Sequence, residues 1–140
     1  MSRPIAPLLL LLGPLSVTTP AAAAQAADTA GMTSVRAGVY RLDQARRGEA
    51  VFRRVCVDCH ATAQFRERRF LTAWAGGTAR DVFELIRTQM PQDNPGRLRR
   101  DEYADVLAYI FELQGLPPGD TALPADDAPL RRIRIEGAAP

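Results

Sequence analysis

The residues Cys56, Cys59 and His60 form a C-x-x-C-H motif, which places two thiols and one imidazole within five consecutive residues. Thiols at this spacing can each form a thioether bond to one of the two vinyl groups of a haem. The adjacent imidazole then provides an axial nitrogen ligand to the iron. The motif therefore predicts one covalently attached haem c, anchored by Cys56 and Cys59 and ligated by His60.

Three other interpretations of this motif remain open. A dithiol redox motif requires only C-x-x-C, but it usually follows a strand, and no strand-like run precedes Cys56. A zinc site in a folded domain normally has four protein ligands, whereas this chain has only two cysteines and one histidine. A structural disulfide would leave His60 without a role. Haem attachment is favoured because it uses all three side chains.

The first 24 residues have the organisation of a secretory signal peptide. A weakly positive start at Ser2 and Arg3 precedes an apolar run at residues 8–12, and the alanines at 21–24 form a small-residue cleavage site. We expect cleavage after residue 24, a mature chain without a stable membrane anchor, and a periplasmic location. The alternative is an uncleaved amino-terminal anchor. Because thioether attachment is completed in an oxidising compartment, the signal and the motif support each other.

An iron that only carries electrons needs a second axial ligand, and the sequence offers few candidates. His60 is the only histidine, and the chain contains no lysine. Met1 would leave with the signal peptide, and Met32 lies upstream of the motif. Met90 follows His60 by 30 residues and is held by the adjacent Pro91. We therefore predict His60 and Met90 as the axial iron ligands, the alternative being that Met90 only packs in the core.

The charges of the chain are nearly balanced, with a formal net charge of +2 at pH 7. All 18 basic residues are arginine, and their clusters are interleaved with acidic residues, which is typical of a solvated surface. Nucleic-acid binding would require a single-sign patch and a recognition motif, and the sequence has neither. We therefore expect no nucleic-acid partner.

The first of three predicted helices leads into the motif. It begins at Asp43, a good N-cap residue, and its apolar face includes Gly48 and Phe52. A glycine inside a helix costs about 1 kcal/mol of helix propensity. That cost is understandable if a second helix crosses closely at Gly48.

The other two helices have their own start and stop signals. The second follows the capping-box sequence from Thr78 to Asp81 and ends near Met90, because proline disfavours helical geometry in the residue before it. The third extends from about Arg100 to Gln114. Its predicted buried face contains Tyr103, Val106, Leu107, Ile110 and Leu113.

The two ends of the mature chain lack an apolar period. Residues 25–42 are expected to form a flexible leader. Residues 120–140 contain few apolar side chains, and we expect an extended tail over the surface. In a larger complex, this tail would be a candidate docking element.

Over roughly residues 43–119 the chain resembles class I cytochrome c, and this range is the expected cytochrome c domain. Gly48-x-x-x-Phe52-x-x-x-Cys56 is similar to the first helix of that family, and residues 105–110 are similar to its last helix. Met90-Pro91 resembles the loop that carries the distal methionine.

A narrower resemblance concerns a bacterial subgroup of this family. Residues 74–78, 90–96 and 113–117 are similar to small periplasmic monohaem cytochromes and to the haem domains attached to quinone-cofactor (PQQ) dehydrogenases. One departure is that no proline lies between His60 and Met90. The group that orients the His60 imidazole is therefore not identified by the sequence, although a backbone carbonyl is expected there.

The resemblance implies an all-α class I cytochrome c fold, with three main helices around a covalently bound haem. It also implies a carrier of single electrons rather than an enzyme. The expected partners are periplasmic redox proteins such as a dehydrogenase and a terminal oxidase or other acceptor. The alternatives are a dedicated cytochrome subunit of a periplasmic dehydrogenase complex, and a haem enzyme or gas binder with an open iron site.

Overall fold

The computed structural model describes residues 31–137. The predicted signal peptide and residues 25–30 of the predicted leader lie outside the described residues. Within 31–137 there are five α-helices, and the prediction of an all-α fold with three main helices is confirmed. The helices are α1 (Leu42–Val55), α2 (Arg69–Ala73), α3 (Ala79–Gln89), α4 (Arg100–Leu113) and α5 (Asp127–Leu130).

Short elements connect these helices. Two 3-10 helices span Val35–Ala37 and Thr62–Arg66. The strands β1 (Thr33–Ser34) and β2 (Ile133–Arg134) pair in parallel, so the two ends of the described chain lie side by side.

The N-cap of α1 lies two residues before the predicted one. Arg41 is the N-cap and has no capping side-chain hydrogen bond, so Asp43 lies in the first turn instead of capping the helix. A carboxylate there is favoured by the positive end of the helix dipole. It also pairs with Arg41 at 2.8 Å and with Arg47 at 3.0 Å.

The ends of α3 follow the predicted signals. The backbone N–H of Thr78 donates to the Asp81 carboxylate at 2.8 Å, as expected for a capping box. The helix ends at Gln89, and Met90 is extended with φ −127° and ψ 147°. The expected effect of Pro91 on the residue before it is therefore observed.

The helices α1 and α4 cross closely at Gly48. A Cβ atom at this position would lie 1.8 Å from the backbone oxygen of Asp105, so only glycine permits the approach. One turn further on, the rings of Phe52 and Tyr109 meet edge-on, with centroids 5.6 Å apart. The close crossing predicted from Gly48 is confirmed.

The helix α4 is buried on two sides, whereas the sequence predicted one buried face. The predicted face is buried, and Ala104, Asp105, Ala108, Tyr109 and Phe111 are buried as well. One side of α4 packs against α1, and the other faces a second apolar cluster formed by α3 and both ends of the described chain.

The leader from residue 31 onward is packed, which corrects the expectation of a flexible segment for residues 31–42. Val35 and Tyr40 are fully buried, and the Tyr40 hydroxyl donates to the carbonyl of Leu116 at 2.6 Å. Burial, with a smaller effect of the nearby Glu112 charge, raises the pKa of Tyr40 to about 12. The hydroxyl therefore remains a donor at neutral pH.

The tail is a strap over the second cluster. Its apolar side chains are buried in this chain's own core, and they are Leu123, Leu130, Ile133 and Ile135. The buried amide of Gln44 donates to the carbonyl of Leu123 at 2.9 Å and accepts from its N–H at 2.7 Å. These apolar side chains are covered by the chain's own core, and docking of a partner on the tail stays a prediction for its exposed residues.

Among residues 31–137, no helix has the length and apolar character needed to cross a bilayer.

Replacing Gly48 with alanine should destabilise the protein by about 1–3 kcal/mol, because the added methyl group overpacks the crossing. The substitution would stabilise an isolated helix, so the sign of the change reports the crossing itself. Urea denaturation of the holoprotein followed by circular dichroism measures it. Glu49→Ala, at the exposed neighbouring position, is the control. An unchanged or raised midpoint for Gly48→Ala would contradict the close approach.

Candidate haem site

The C-x-x-C-H motif forms a turn at the carboxyl end of α1. The Cys56 N–H donates to the carbonyl of Phe52 at 2.8 Å, which continues the helical hydrogen-bond pattern. The carbonyl of Cys56 then accepts from the N–H groups of Cys59 at 3.2 Å and His60 at 2.9 Å. This turn keeps both thiols and the imidazole close together on one short stretch of backbone.

No disulfide joins Cys56 and Cys59, and the environments of the two residues differ. Cys56 is half-buried, whereas Cys59 is exposed. Burial raises the pKa of the Cys56 thiol above its ordinary value, while the positive charge of Arg97 acts in the opposite direction. Cys56 therefore lies at the inner end of the turn and Cys59 at its outer end.

The His60 ring packs against a cluster of aromatic side chains centred on Phe65. The centroid of Phe65 lies 5.7 Å from that of His60, 5.4 Å from that of Phe52 and 5.7 Å from that of Phe70. The Gln114 side chain at the end of α4 donates to the Phe65 carbonyl. The loop that follows the motif is thus held against both long helices.

The Gln64 side chain faces the His60 imidazole. Its Oε1 atom lies 3.4 Å from Nδ1 of His60. An amide oxygen only accepts hydrogen bonds, so this contact favours the tautomer with its proton on Nδ1. Nε2 then keeps its lone pair, which is the state required of a metal ligand. Among the described residues, the side-chain contact of the His60 ring nitrogen is thus with the Gln64 amide oxygen, where the sequence led us to expect a backbone carbonyl.

Met90 follows the last residue of α3. Its N–H donates to the carbonyl of Ile86 at 3.1 Å, and its own carbonyl accepts from the hydroxyl of Tyr103 at 2.8 Å. The residue is therefore tied to α3 by its amide and to α4 by its carbonyl.

A cleft of about 700 Å³ brings the predicted site residues together. Cys56, Cys59, His60 and Met90 all line it. An apolar pocket of about 50 Å³ shares Cys56, His60 and Met90 with the cleft. Its other walls include the apolar side chains of Phe52, Phe65, Ile86, Leu98, Val106 and Ile110.

The donors and walls of this site fit a haem. Cofactor pockets commonly have volumes of roughly 300–1,000 Å³ and mostly apolar walls. The two thiols suit thioether formation, and an imidazole nitrogen with a thioether sulfur is a known axial ligand pair of haem iron. Met32, the other methionine among the described residues, lies beside β1 and does not line the cleft.

Sequence reasoning did not identify two residues that contact the predicted ligands. Gln64 lies four positions after His60, a spacing that would have been a usable signal for a contact within one turn. The Tyr103 hydroxyl had no such signal, because its partner Met90 belongs to a different element.

Comparison with known families matches residues 43–110 to the family described as cytochrome C oxidase, cbb3-type, subunit III. The matched range begins in α1 and ends in α4. No curated protein and no solved structure matches the chain.

The matched range supports a cytochrome c domain in this part of the chain, and the helical architecture is that of a class I cytochrome c fold. A domain of this kind implies a covalently bound haem c and a role in electron transfer. The narrower resemblance to haem domains of PQQ dehydrogenases stays a prediction.

Proposed function

We propose that this chain is a periplasmic monohaem cytochrome c that carries single electrons between redox partners. The observation that carries the proposal is the convergence of Cys56, Cys59, His60 and Met90 on one cleft. The first three residues follow α1, and Met90 follows α3, 30 positions after His60. When bound, the haem supplies an iron that accepts and releases one electron at a time.

The four side chains have separate roles in this proposal. Cys56 and Cys59 anchor the macrocycle through thioether bonds. His60 and Met90 ligate the iron, and Gln64 holds the His60 ring in the tautomer needed for ligation. Ligation of the iron by both His60 and Met90 would leave no coordination position for substrate chemistry.

The apolar walls of the site contribute to the function. Phe52, Phe65 and Ile110 exclude water from one side of the cofactor position, and a low-polarity environment favours the less charged ferrous state. A thioether ligand in place of a second imidazole raises the potential further. The packed helices also limit movement of the ligands when the charge changes.

The periplasmic location in the proposal is supported by the sequence of residues 1–24, which has the organisation of a signal peptide. It is also supported by the chemistry of attachment, because thioether formation is completed outside the cytoplasm.

A second candidate function is that of a stable subunit of an enzyme complex. The family match favours an oxidase complex as the setting, since the matched family is described as an oxidase subunit. The chemistry at the iron would be the same, and the permanence of the partner would differ. A free carrier remains our first proposal because a single-domain cytochrome needs only a small, transient interface.

Replacing the two cysteines one at a time should remove one thioether bond each, and replacing both should remove the covalent link. In-gel haem staining after denaturation should persist in Cys59→Ala and disappear in the double variant. The pyridine haemochrome spectrum of Cys59→Ala should shift towards that of a haem with one intact vinyl group. Asp58→Ala, in the same turn, should retain both bonds. Staining of the double variant would contradict the assigned anchors.

Replacing Met90 with alanine should abolish the weak far-red sulfur-to-iron band of the oxidised protein and lower the reduction potential. It should also allow carbon monoxide to bind the reduced iron. Met32→Ala is the matched control and should leave the band unchanged. A wild-type protein without the band that binds carbon monoxide readily would exclude ligation by Met90 and favour an enzyme or gas-binding function.

Affinity purification from the native host at high salt distinguishes the free carrier from the complex subunit. Salt weakens an encounter interface that depends on exposed charges, so a free carrier should elute alone. Stoichiometric recovery of oxidase or dehydrogenase subunits under these conditions would instead support the stable-subunit function.

A further inference from the structure

The loop that carries Met90 has few contacts of its own. Residues 92–97 are exposed, and within this loop the N–H of Asn94 donates to the carbonyl of Pro91 at 3.0 Å. Met90 itself is linked back to α3 through its N–H and the carbonyl of Ile86. The backbone of Met90 is thus tied to α3 on its amino side only, and on its carboxyl side it needs a contact from another element.

Tyr103 of α4 provides this contact. Its hydroxyl donates to the carbonyl of Met90 at 2.8 Å, and the residue is only 2% exposed. The ring packs edge-on against Phe83 of α3, with centroids 6.4 Å apart. A tyrosine side chain has only two χ angles, so a buried ring in this packing is a well-fixed donor.

The hydrogen bond from Tyr103 acts on the peptide unit that follows Met90, the predicted iron ligand. A partly buried carbonyl needs a partner, and that of Met90 lies beyond the last residue of α3. Fixing this oxygen fixes the plane of the peptide between Met90 and Pro91. The direction in which the Met90 side chain leaves the backbone is restricted as a result.

We propose that Tyr103 is a positioning residue that holds Met90 in place as an iron ligand. This inference rests on the proposed ligation by Met90 and adds the group that maintains it. The same helix crosses α1 at Gly48, and α1 ends at Val55, directly before Cys56. One helix thus supports both the segment with the anchoring thiols and the loop with the sulfur ligand.

The test compares Tyr103→Phe with Tyr40→Phe in the holoprotein. Each variant removes a hydroxyl that donates from a buried ring to a backbone carbonyl, that of Met90 at 2.8 Å or that of Leu116 at 2.6 Å. Tyr40 lines neither the cleft nor the apolar pocket, whereas Tyr103 lines the pocket together with Met90. The pair therefore separates an effect on Met90 from a general loss of stability.

The measurement is the affinity of the oxidised protein for imidazole at fixed neutral pH, followed by loss of the far-red band. Imidazole must displace Met90, so a less restrained methionine is displaced at lower concentration. We expect Tyr103→Phe to bind imidazole roughly two- to tenfold more tightly than wild type, the ratio that corresponds to one net hydrogen bond. Tyr40→Phe should bind imidazole as wild type does.

Urea denaturation midpoints of both variants show whether their losses of stability are comparable. The inference is overturned if Tyr103→Phe binds imidazole with wild-type affinity, or if Tyr40→Phe tightens binding equally. A wild-type protein without the far-red band would overturn ligation by Met90, and with it the role of Tyr103. If the wild-type protein shows the far-red band but Tyr103→Phe binds imidazole with unchanged affinity, only the positioning role of Tyr103 fails and ligation by Met90 stands.

Discussion

The close crossing of α1 and α4 is the contact on which the rest of the structure depends. The backbone oxygen of Asp105 occupies the space that a side chain at Gly48 would fill. Asp105 is only 7% exposed, and Arg47 donates two hydrogen bonds of 3.0 and 3.1 Å to its carboxylate. A nearly buried carboxylate requires such a partner, so backbone approach and ion pairing act together at one point. A change in this crossing would move the C-x-x-C-H turn relative to the Met90 loop.

The helix α4 separates two apolar clusters with different roles. The cluster on the side of α1 includes Phe52, Val106 and Ile110, which also line the apolar pocket beside the cleft. The cluster on the other side is closed by the leader and the tail and contains the fully buried Val35, Leu130 and Ile135. A small domain buries a limited apolar area, and the first cluster must leave room for a cofactor. The second cluster therefore supplies apolar burial that the first lacks.

Local signals in the sequence were sufficient for much of the fold and for the composition of the site. The capping box at Thr78, the stop at Pro91 and the small residue at Gly48 each have a direct physical effect on the backbone, and each is observed. The pairing of Met90 with His60 as iron ligands came from the elimination of other ligands and stays a prediction, although both residues line the cleft. These features depend on residue types and on short spacings along the chain, and both can be read from one sequence without knowledge of tertiary contacts.

The remaining features depend on tertiary contacts that have no periodic signal. The leader was expected to be flexible and the tail to lie extended over the surface, because strands of two residues and scattered apolar side chains show no repeat. Gln44 would be assigned to the surface by its polarity, yet it is buried and pairs with the backbone of Leu123. The partnership of Tyr103 with Met90 likewise exists only once α4 has packed.

The parallel pairing of β1 and β2 brings the two ends of the described chain together. A hydrogen bond of 2.8 Å also joins the side chains of Ser34 and Glu136, which are 102 positions apart. Forming contacts between residues this far apart costs chain entropy before packing compensates for it. We therefore expect the two strands to pair late in folding. Cys56 and Cys59 lie between these strands along the chain, whereas the turn that presents them needs only local hydrogen bonds. The thiols would therefore be presented before the ends of the domain meet, when a modifying enzyme has access to them.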